Sequence, residues 1–373
     1  MLPMTMHDRM MAVYRKEMPD RMPVSIYKRY LPTGETERHA RNLGLGISDY
    51  HPPVTLLAPP WHTSPGYVSE VKGADLQVRF SWEEGQMVES RKYETPVGTL
   101  SQETTRDPNY GSDWIRKHFI QTAEDYKIMQ YIVENTVFRK NDKALRGRMA
   151  DLGGDGVVLG RLDRSPYQKL LMELAGPEQF FEDLHTECGP VLELLEAMTH
   201  RMDEAFELFL ETDAEVAWQP DNVTGDMTPP DAFEKYCVPF YETRGKRLRH
   251  AGIPYVVHMD GRLKSLKSLI AGSVFDVVES FSLPMLGNDI TLAEAWESWP
   301  DKVILPNFPS PICLEADEKI KTFLRELFEQ VGPDRPFMLQ VSEDVPASEW
   351  QRVLMILCRE VDQTNPAKVH DRL

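Results

Sequence analysis

Cysteine is scarce: only Cys188, Cys237, Cys313 and Cys358 occur in 373 residues, none in CxxC or CxH spacing. A disulfide-stapled secreted fold is therefore excluded, and the four thiols read as small buried hydrophobes in a reducing compartment. Long apolar runs are missing as well. No stretch approaches the roughly 18 uncharged apolar residues of a membrane-spanning helix. Residues 1–21 contain no apolar h-region, so no secretory signal is expected and a cytoplasmic location is. Positive charge is in deficit, with 42 Lys+Arg against 59 Asp+Glu and a net charge of −17. A nucleic-acid partner, which normally meets a basic face, is not expected. A polyanionic substrate would meet a repulsive field unless a local basic cluster overcame it. Neither GxGxxG nor GxxxxGK[ST] follows any apolar run, which weakens a nucleotide-binding reading.

What the chain does have is 41% hydrophobic residues, enough for a sizeable core. From about residue 150 onward, short β-branched runs alternate with helical stripes. Strands are predicted at 156–160, 215–219, 253–258, 275–279, 302–306 and 337–340, with another at 23–27. Between them, Val191, Leu195, Met198, Met202, Phe206 and Phe209 fall at helical spacing, as do Ile320, Phe323, Leu327 and Val331, and Trp350, Val353, Leu357 and Val361. Thr291 and Glu294 form a capping-box pattern ahead of a helix at 293–299. Such alternation is the signature of βα units around a parallel sheet.

Seven strands are visible, so the expected fold class is α/β: a TIM-type (β/α)8 barrel with one strand unseen, a doubly wound open sheet being the alternative. A barrel typically takes about 250 residues. The excess is assigned to a β-hairpin-rich insertion near the N-terminal strand, residues 50–115. It opens on a proline-rich stretch and continues with the alternating runs 77–82 and 87–93. The organisation expected is one barrel domain over 1–373 carrying that inserted subdomain, which reads equally as a lid, a partner-docking surface or a packing elaboration.

Chemistry in a parallel barrel sits where strands end. The predicted strand ends deliver Asp221 and Asn222, then His258 and Asp260, then Glu279, Asn307, Glu343 and Asp344. Alone, each is an ordinary solvated loop residue; together they converge on one rim. The sharpest feature is His258-Met259-Asp260-Gly261. Positions i and i+2 of a strand share a face, so His258 and Asp260 point into the mouth together while Met259 packs outward. That pair is either half a metal site or a base with its orienting partner. Glu343 and Glu279 are the candidate further oxygen ligands, and Gly261 permits a sharp turn.

The order Asp221…Thr228-Pro229-Pro230…His258-x-x-Gly261…Asn307…Glu343 resembles the uroporphyrinogen decarboxylase superfamily. Arg21-Met-Pro-Val24 and Tyr30-Leu-Pro32 stand where that superfamily has its first strand and loop. The decarboxylase branch carries an Arg-rich N-terminal loop, whereas this chain reads Tyr27-Lys-Arg-Tyr-Leu-Pro. The other branch holds zinc-dependent methyltransferases with His-x-Cys-Gly after a barrel strand and a second Cys after the last strand. Here Asp260 replaces the first Cys, and Ser342-Glu343 falls where the second is expected. Residues 93–98 and 122–126 also look like that branch.

The resemblance implies a methyltransferase-type barrel moving a methyl group between a small methylated substrate or a tetrahydrofolate-like acceptor and a separate corrinoid protein. A corrinoid has to arrive with a partner, since no Asp-x-His-x-x-Gly motif is present. His258, Asp260 and Glu343 are the expected ligands of zinc or another divalent metal, with Asp221, Glu279, Asn307 and Tyr255 as catalytic candidates. Two other readings stay open. One is a cofactor-free decarboxylase or lyase, which needs Arg29, Arg161 and Arg262 in the mouth. The other is a non-catalytic small-molecule-binding barrel. The sequence leaves the oligomeric state open.

Overall fold

The computed structural model describes residues 3–31, 33–59, 69–106, 113–186 and 189–363; Pro32, Trp61 and Cys188 lie outside them. Eight parallel strands form the barrel: β1 (Val24–Tyr27), β2 (Leu45–His51), β3 (Gly156–Arg161), β4 (Ala217–Gln219), β5 (Tyr255–His258), β6 (Val277–Phe281), β7 (Val303–Pro306) and β8 (Leu339–Val341). They pair in chain order from β1 to β7, and β8 pairs back onto β1. A bridge between Asn307 and Gln340, with Phe308 N donating to Gln340 O at 2.8 Å, joins β7 to β8 and closes the ring. This is a TIM-type (β/α)8 barrel.

The strand unseen in the sequence is β2. Gly46, Ser48, Asp49 and His51 interrupt its apolar run, yet Ser48, Asp49 and His51 are all buried. The clearer strands are nearly continuous apolar runs because both faces of a parallel barrel strand are covered. Alternate residues divide between two cores. Val157, Leu159, Val216, Trp218, Val256, Val277, Val303, Leu305 and Met338 fill the lumen. Their neighbours Val158, Ala217, Tyr255, Val257, Val278, Ile304 and Leu339 face the helices.

The base of the lumen is plugged by the helix Met6–Tyr14, whose Met10, Met11, Val13 and Tyr14 belong to the inner core. Thr5 and Asp8 start this helix with a reciprocal capping box. His7 Nε2 lies 3.0 Å from Glu215 Oε2, which anchors the plug beside the entry to β4. At Gly156 a Cβ would come within 1.9 Å of the Ile47 carbonyl oxygen, so β2 and β3 approach closely there only because the side chain is absent.

The helical stripes lie where the periodicity places them. Val191, Leu195, Met198, Met202, Phe206 and Phe209 are all buried along Gly189–Leu210. Thr291 and Glu294 cap the helix Leu292–Ser298 reciprocally. Between β2 and β3 the chain forms a four-stranded antiparallel meander, Asp75–Glu83, Gln86–Thr95, Gly98–Arg106 and Asp113–Lys117. The helices Ala123–Asn135 and Asp142–Leu152 follow. The first hairpin turns on Glu84 (φ 51°) and Gly85 (φ 80°), the two left-handed positions that a two-residue turn matched to strand twist requires. Tyr93 and Leu100 of the meander share the outer core with Tyr126, Met129 and Val133. Among the described residues, no helix is long and apolar enough to cross a membrane.

Candidate active site

β5 and β6 run in register with His258 beside Glu279, so the imidazole and the buried carboxylate are neighbours at the C-terminal end of the lumen. His258 Nδ1 is 2.7 Å from Glu279 Oε2. The same oxygen accepts from Trp218 Nε1 at 3.0 Å, and Oε1 accepts from Tyr27 OH at 2.6 Å. Three donors on three different strands thus hold one carboxylate and, through it, one orientation of the ring. Just beyond Glu279, Ser280 adopts φ 61° and the β6–β7 register shifts. This bulge redirects the strand so that Ser280 Oγ meets Ser342 Oγ at 2.8 Å.

Beyond the end of β5, His258 Nε2 lies 3.4 Å from Asp260 Oδ2, and Met259 is buried on the outer side. Burial works against a charge on His258, but Glu279 and then Asp260 outweigh it and raise its pKa to about 10. Asp260 shows the complement: burial pushes it up, and the imidazole more than offsets this, leaving it below the ordinary carboxylate value. At neutral pH the pair is therefore an imidazolium between two carboxylates. Gly261 serves it by close approach: a Cβ there would come within 2.0 Å of Thr224 Cβ.

Asn222, one of the expected strand-end residues, and Arg164, which is not among them, complete the rim. Asn222 Nδ2 donates to Asp260 Oδ2 at 3.1 Å, and Arg164 Nη1 donates to Asn222 Oδ1 at 3.0 Å. Asn222 sits at φ 52°, a left-handed conformation that a non-glycine residue rarely keeps without surrounding contacts to hold it. Arg164 is fixed by Glu173 Oε1 at 2.9 Å and by the Pro220 carbonyl. Behind it, the fully buried Lys169 bonds Asp163 Oδ1 and Glu173 Oε2, each at 2.7 Å. The insertion reaches the same network: Leu57 N donates to Asp163 at 2.7 Å and Gln102 Nε2 to the Glu173 carbonyl at 2.9 Å.

The other expected residues divide. Glu343 is half-buried near the pair. Burial and then Asp260 raise its pKa, while His258 and Asn307 draw it down. Asn307 Oδ1 accepts from Ser342 N at 3.1 Å and Ser342 Oγ at 3.0 Å, and its Nδ2 is buried short of a hydrogen bond. Asp221 and Tyr255 are not brought to the mouth. Asp221 is fully buried and accepts from Ser165 N at 2.8 Å and Tyr241 OH at 2.6 Å, in the helix layer. Tyr255 OH donates to Gln219 Oε1 at 3.2 Å on that outer side. Strand parity explains both positions: Tyr255 is one register step out of phase with Val256 and His258.

An aromatic wall of Tyr27, Tyr50 and Trp218 stands beside His258, with ring centroids 5.0–6.1 Å apart within the wall and the indole 6.0 Å from the imidazole. Arg161 is buried with its guanidinium 5.9 Å from the Trp218 ring centre, and Arg29 lies over Tyr30 at 4.7 Å. Arg262 is exposed, near Asp226 and Asp289.

For a metal, the expected donors are His258, Asp260 and Glu343. Among the described residues no three His, Cys, Asp or Glu side chains gather closely enough to hold an ion. An open zinc site needs three protein ligands, and here the Nε2–Oδ2 contact supplies two. The arrangement in this structure does not fit zinc.

Residues 165–362, just over half of the chain and spanning β4 to β8, match the family model described as uroporphyrinogen decarboxylase (URO-D). The chain belongs to the uroporphyrinogen decarboxylase family. Membership fits the barrel and a barrel enzyme. The match begins after Arg164, and Asn222, His258, Asp260, Glu279, Asn307 and Glu343 fall within it. The N-terminal plug and the insertion lie outside it. No curated protein matches the chain by sequence. Two solved structures of the pneumococcal exo-β-D-N-acetylglucosaminidase StrH are similar over 96% of this chain. One, of its tandem GH20 catalytic modules, is 12% identical over 87% of that chain, with a TM-score of 0.39. The other, on its inhibition and N-glycan recognition, is 11% identical over 86% of that chain, with a TM-score of 0.37.

Proposed function

We propose that this barrel is a methyltransferase that moves a methyl group between a small methylated substrate and a corrinoid carried by a separate protein. The observation that supports this best is the charged His258, held in one orientation by Glu279 and faced by Asp260 at the mouth. When a methyl group leaves an ether oxygen or an amine nitrogen, the heteroatom gains an electron pair and needs a proton. His258 is the acid placed to give it, with Asp260 as its partner on Nε2. Glu279 keeps the ring oriented and stabilises its charge, as a buried carboxylate does behind any catalytic imidazole. Glu343, raised toward neutrality, and the under-bonded Asn307 amide offer further polar contacts to the substrate. The aromatic wall supplies a flat, water-excluding surface beside the acid.

A second reading has one observation in its favour. Arg161 lies against Trp218 of the aromatic wall and Arg29 over Tyr30, which stacks on Tyr27 of that wall, so a substrate carboxylate could be held there for cofactor-free decarboxylation, with His258 protonating the resulting carbanion.

The test uses free cob(I)alamin as methyl acceptor, a panel of methyl ethers and methylamines as donors, and the absorbance of the cobalt as the readout. The expected result is methylation that falls by about 10²–10⁴-fold in His258→Asn. An undiminished rate in that variant, or carbon dioxide release without methyl transfer, would overturn the reading. Elemental analysis of the purified protein, beside His258→Ala and Asp260→Ala, decides whether a metal accompanies the site.

A further inference from the structure

The strand Asp75–Glu83 is an outer edge of the four-stranded meander. It carries three large apolar residues at every second position: Val78, Phe80 and Trp82 are 43%, 56% and 77% exposed. Their side chains share one face. Across the ladder they stand opposite Arg91, Glu89 and Met87. Arg91 and Glu89 are buried against the body of the protein, where Arg91 reaches the Pro59 carbonyl. The apolar stripe is thus the overhang of a face whose centre is already covered.

The backbone of this edge is open as well. Glu83 and Gln86 flank a two-residue turn, and such a flanking pair is hydrogen-bonded to itself. Counting back in twos, Asp75, Gln77, Arg79, Ser81 and Glu83 spend their N–H and C=O groups inward. Among the described residues, the same groups of Leu76, Val78, Phe80 and Trp82 therefore have no strand to pair with, which makes an apolar edge suited to accept another strand.

We infer that this edge pairs antiparallel with the same edge of a second copy, joining two meanders into one eight-stranded sheet. Charge complementarity favours a second copy as occupant, and apolar pairing then fixes the register: pairing about Gln77 also sets Asp75 against Arg79 twice, but leaves Phe80 and Trp82 opposite Ala74 and Lys72. Pairing about Arg79 sets Arg79 against Arg79 and Asp75 against Glu83, which are like charges. Pairing about Ser81 sets Arg79 against Glu83 twice and Phe80 against Trp82 twice, favourable pairs of the kind that stabilise sheets. In that register Phe80 and Trp82 are the hydrogen-bonded partners, matching the open backbone groups, and a two-fold axis passes at Ser81. Glu83 already meets Arg116 at 3.0 Å in its own chain, so its carboxylate lies between two guanidinium groups in the pair. Six large apolar side chains then cover one another on a single face.

Sedimentation equilibrium of the full chain over a hundredfold concentration range tests this. A concentration-dependent dimer is expected, and both Phe80→Glu and Trp82→Glu make it monomeric with unchanged far-UV circular dichroism. Arg79→Glu raises the dimer dissociation constant by about tenfold. Ser81→Cys in a Cys188→Ser background, oxidised mildly, gives a disulfide-linked dimer that Cys188→Ser alone does not; Cys237, Cys313 and Cys358 are buried. A chain monomeric at every concentration overturns the inference and leaves the stripe to a different protein. So does a dimer indifferent to Phe80→Glu and Trp82→Glu, or a Ser81→Cys chain that does not cross-link.

Discussion

Replacing Glu279 by Gln keeps the size of the side chain and removes its charge. The native carboxylate takes Tyr27 OH, Trp218 Nε1 and His258 Nδ1 on two oxygens. An amide has one acceptor oxygen, so its NH2 group must face one of these donors. The larger loss is electrostatic. With its pKa raised from 6.5 to about 10, His258 contributes stability that is fully present below pH 6.5 and disappears as pH rises through about 10. At pH 7 that corresponds to about 4 kcal/mol, from 1.36 kcal/mol per unit. Breaking a buried ion pair by removing one partner costs about 3–5 kcal/mol, the same range. Urea denaturation at pH 7 should show Glu279→Gln destabilised by up to that amount, Asp260 accounting for part of the shift, and the deficit should shrink well above pH 10, where the parent ring has also lost its proton. A parallel titration of the His258 ring by NMR should find its pKa several units lower in the variant. A loss below about 1 kcal/mol at pH 7, or one of equal size at both pH values, would refute the ion-pair account of this site.

Gly156→Ala should cost roughly 3 kcal/mol or more, read as a fall in the urea midpoint, because the new methyl group meets the Ile47 backbone carbonyl and not a flexible side chain. Lys169→Met leaves Asp163 buried without its cation and Glu173 with Arg164 alone, and a loss of about 3–5 kcal/mol is expected in the same assay. Glu215, through its hydrogen bond, raises the pKa of His7. The stabilisation by this pair is therefore complete below pH 6.5 and lost as pH rises through the raised value. The stability difference between the parent and His7→Gln should be larger at pH 6 than at pH 8.5, as thermal melts at the two pH values would show.

Much of the fold was legible because a parallel barrel writes itself plainly: strands covered on both faces are continuous β-branched runs such as 255–257, and helices show one apolar stripe. β2 escaped because its inward groups include Ser48 and its rim carries Asp49 and His51, side chains that read as a loop until their burial is known. The insertion was expected beside the first strand; it follows the second, since the unseen strand comes before it. In the site, the i, i+2 rule put His258 and Asp260 together. The same rule, applied to Tyr255, would have turned it away from the lumen. Glu279 was assigned to the rim, but it lies behind the imidazole, a distinction that depends on strand register. Asn222, Arg164 and Trp218 act through contacts between residues up to 61 positions apart, and spacing along the chain carries no trace of these.

The ring closes only where β8 meets β1 and β7, and β8 ends at Val341. During synthesis, then, β1 keeps an unpaired edge until β8 has emerged. The β1–β8 contacts, which pair Val24 with Leu339, are of very long sequence separation, the condition under which folding is slow and open edges are exposed to wrong partners. The plug helix shares this fate. Burial and then the charge of Glu279 on the sixth strand raise the pKa of its Tyr14, so the helix reaches its final surroundings only once that strand is made. Loss of a few residues at 339–341 would therefore do more than shorten the protein. It would leave two strand edges exposed at once, and aggregation, more than weak activity, should be the outcome of truncating there.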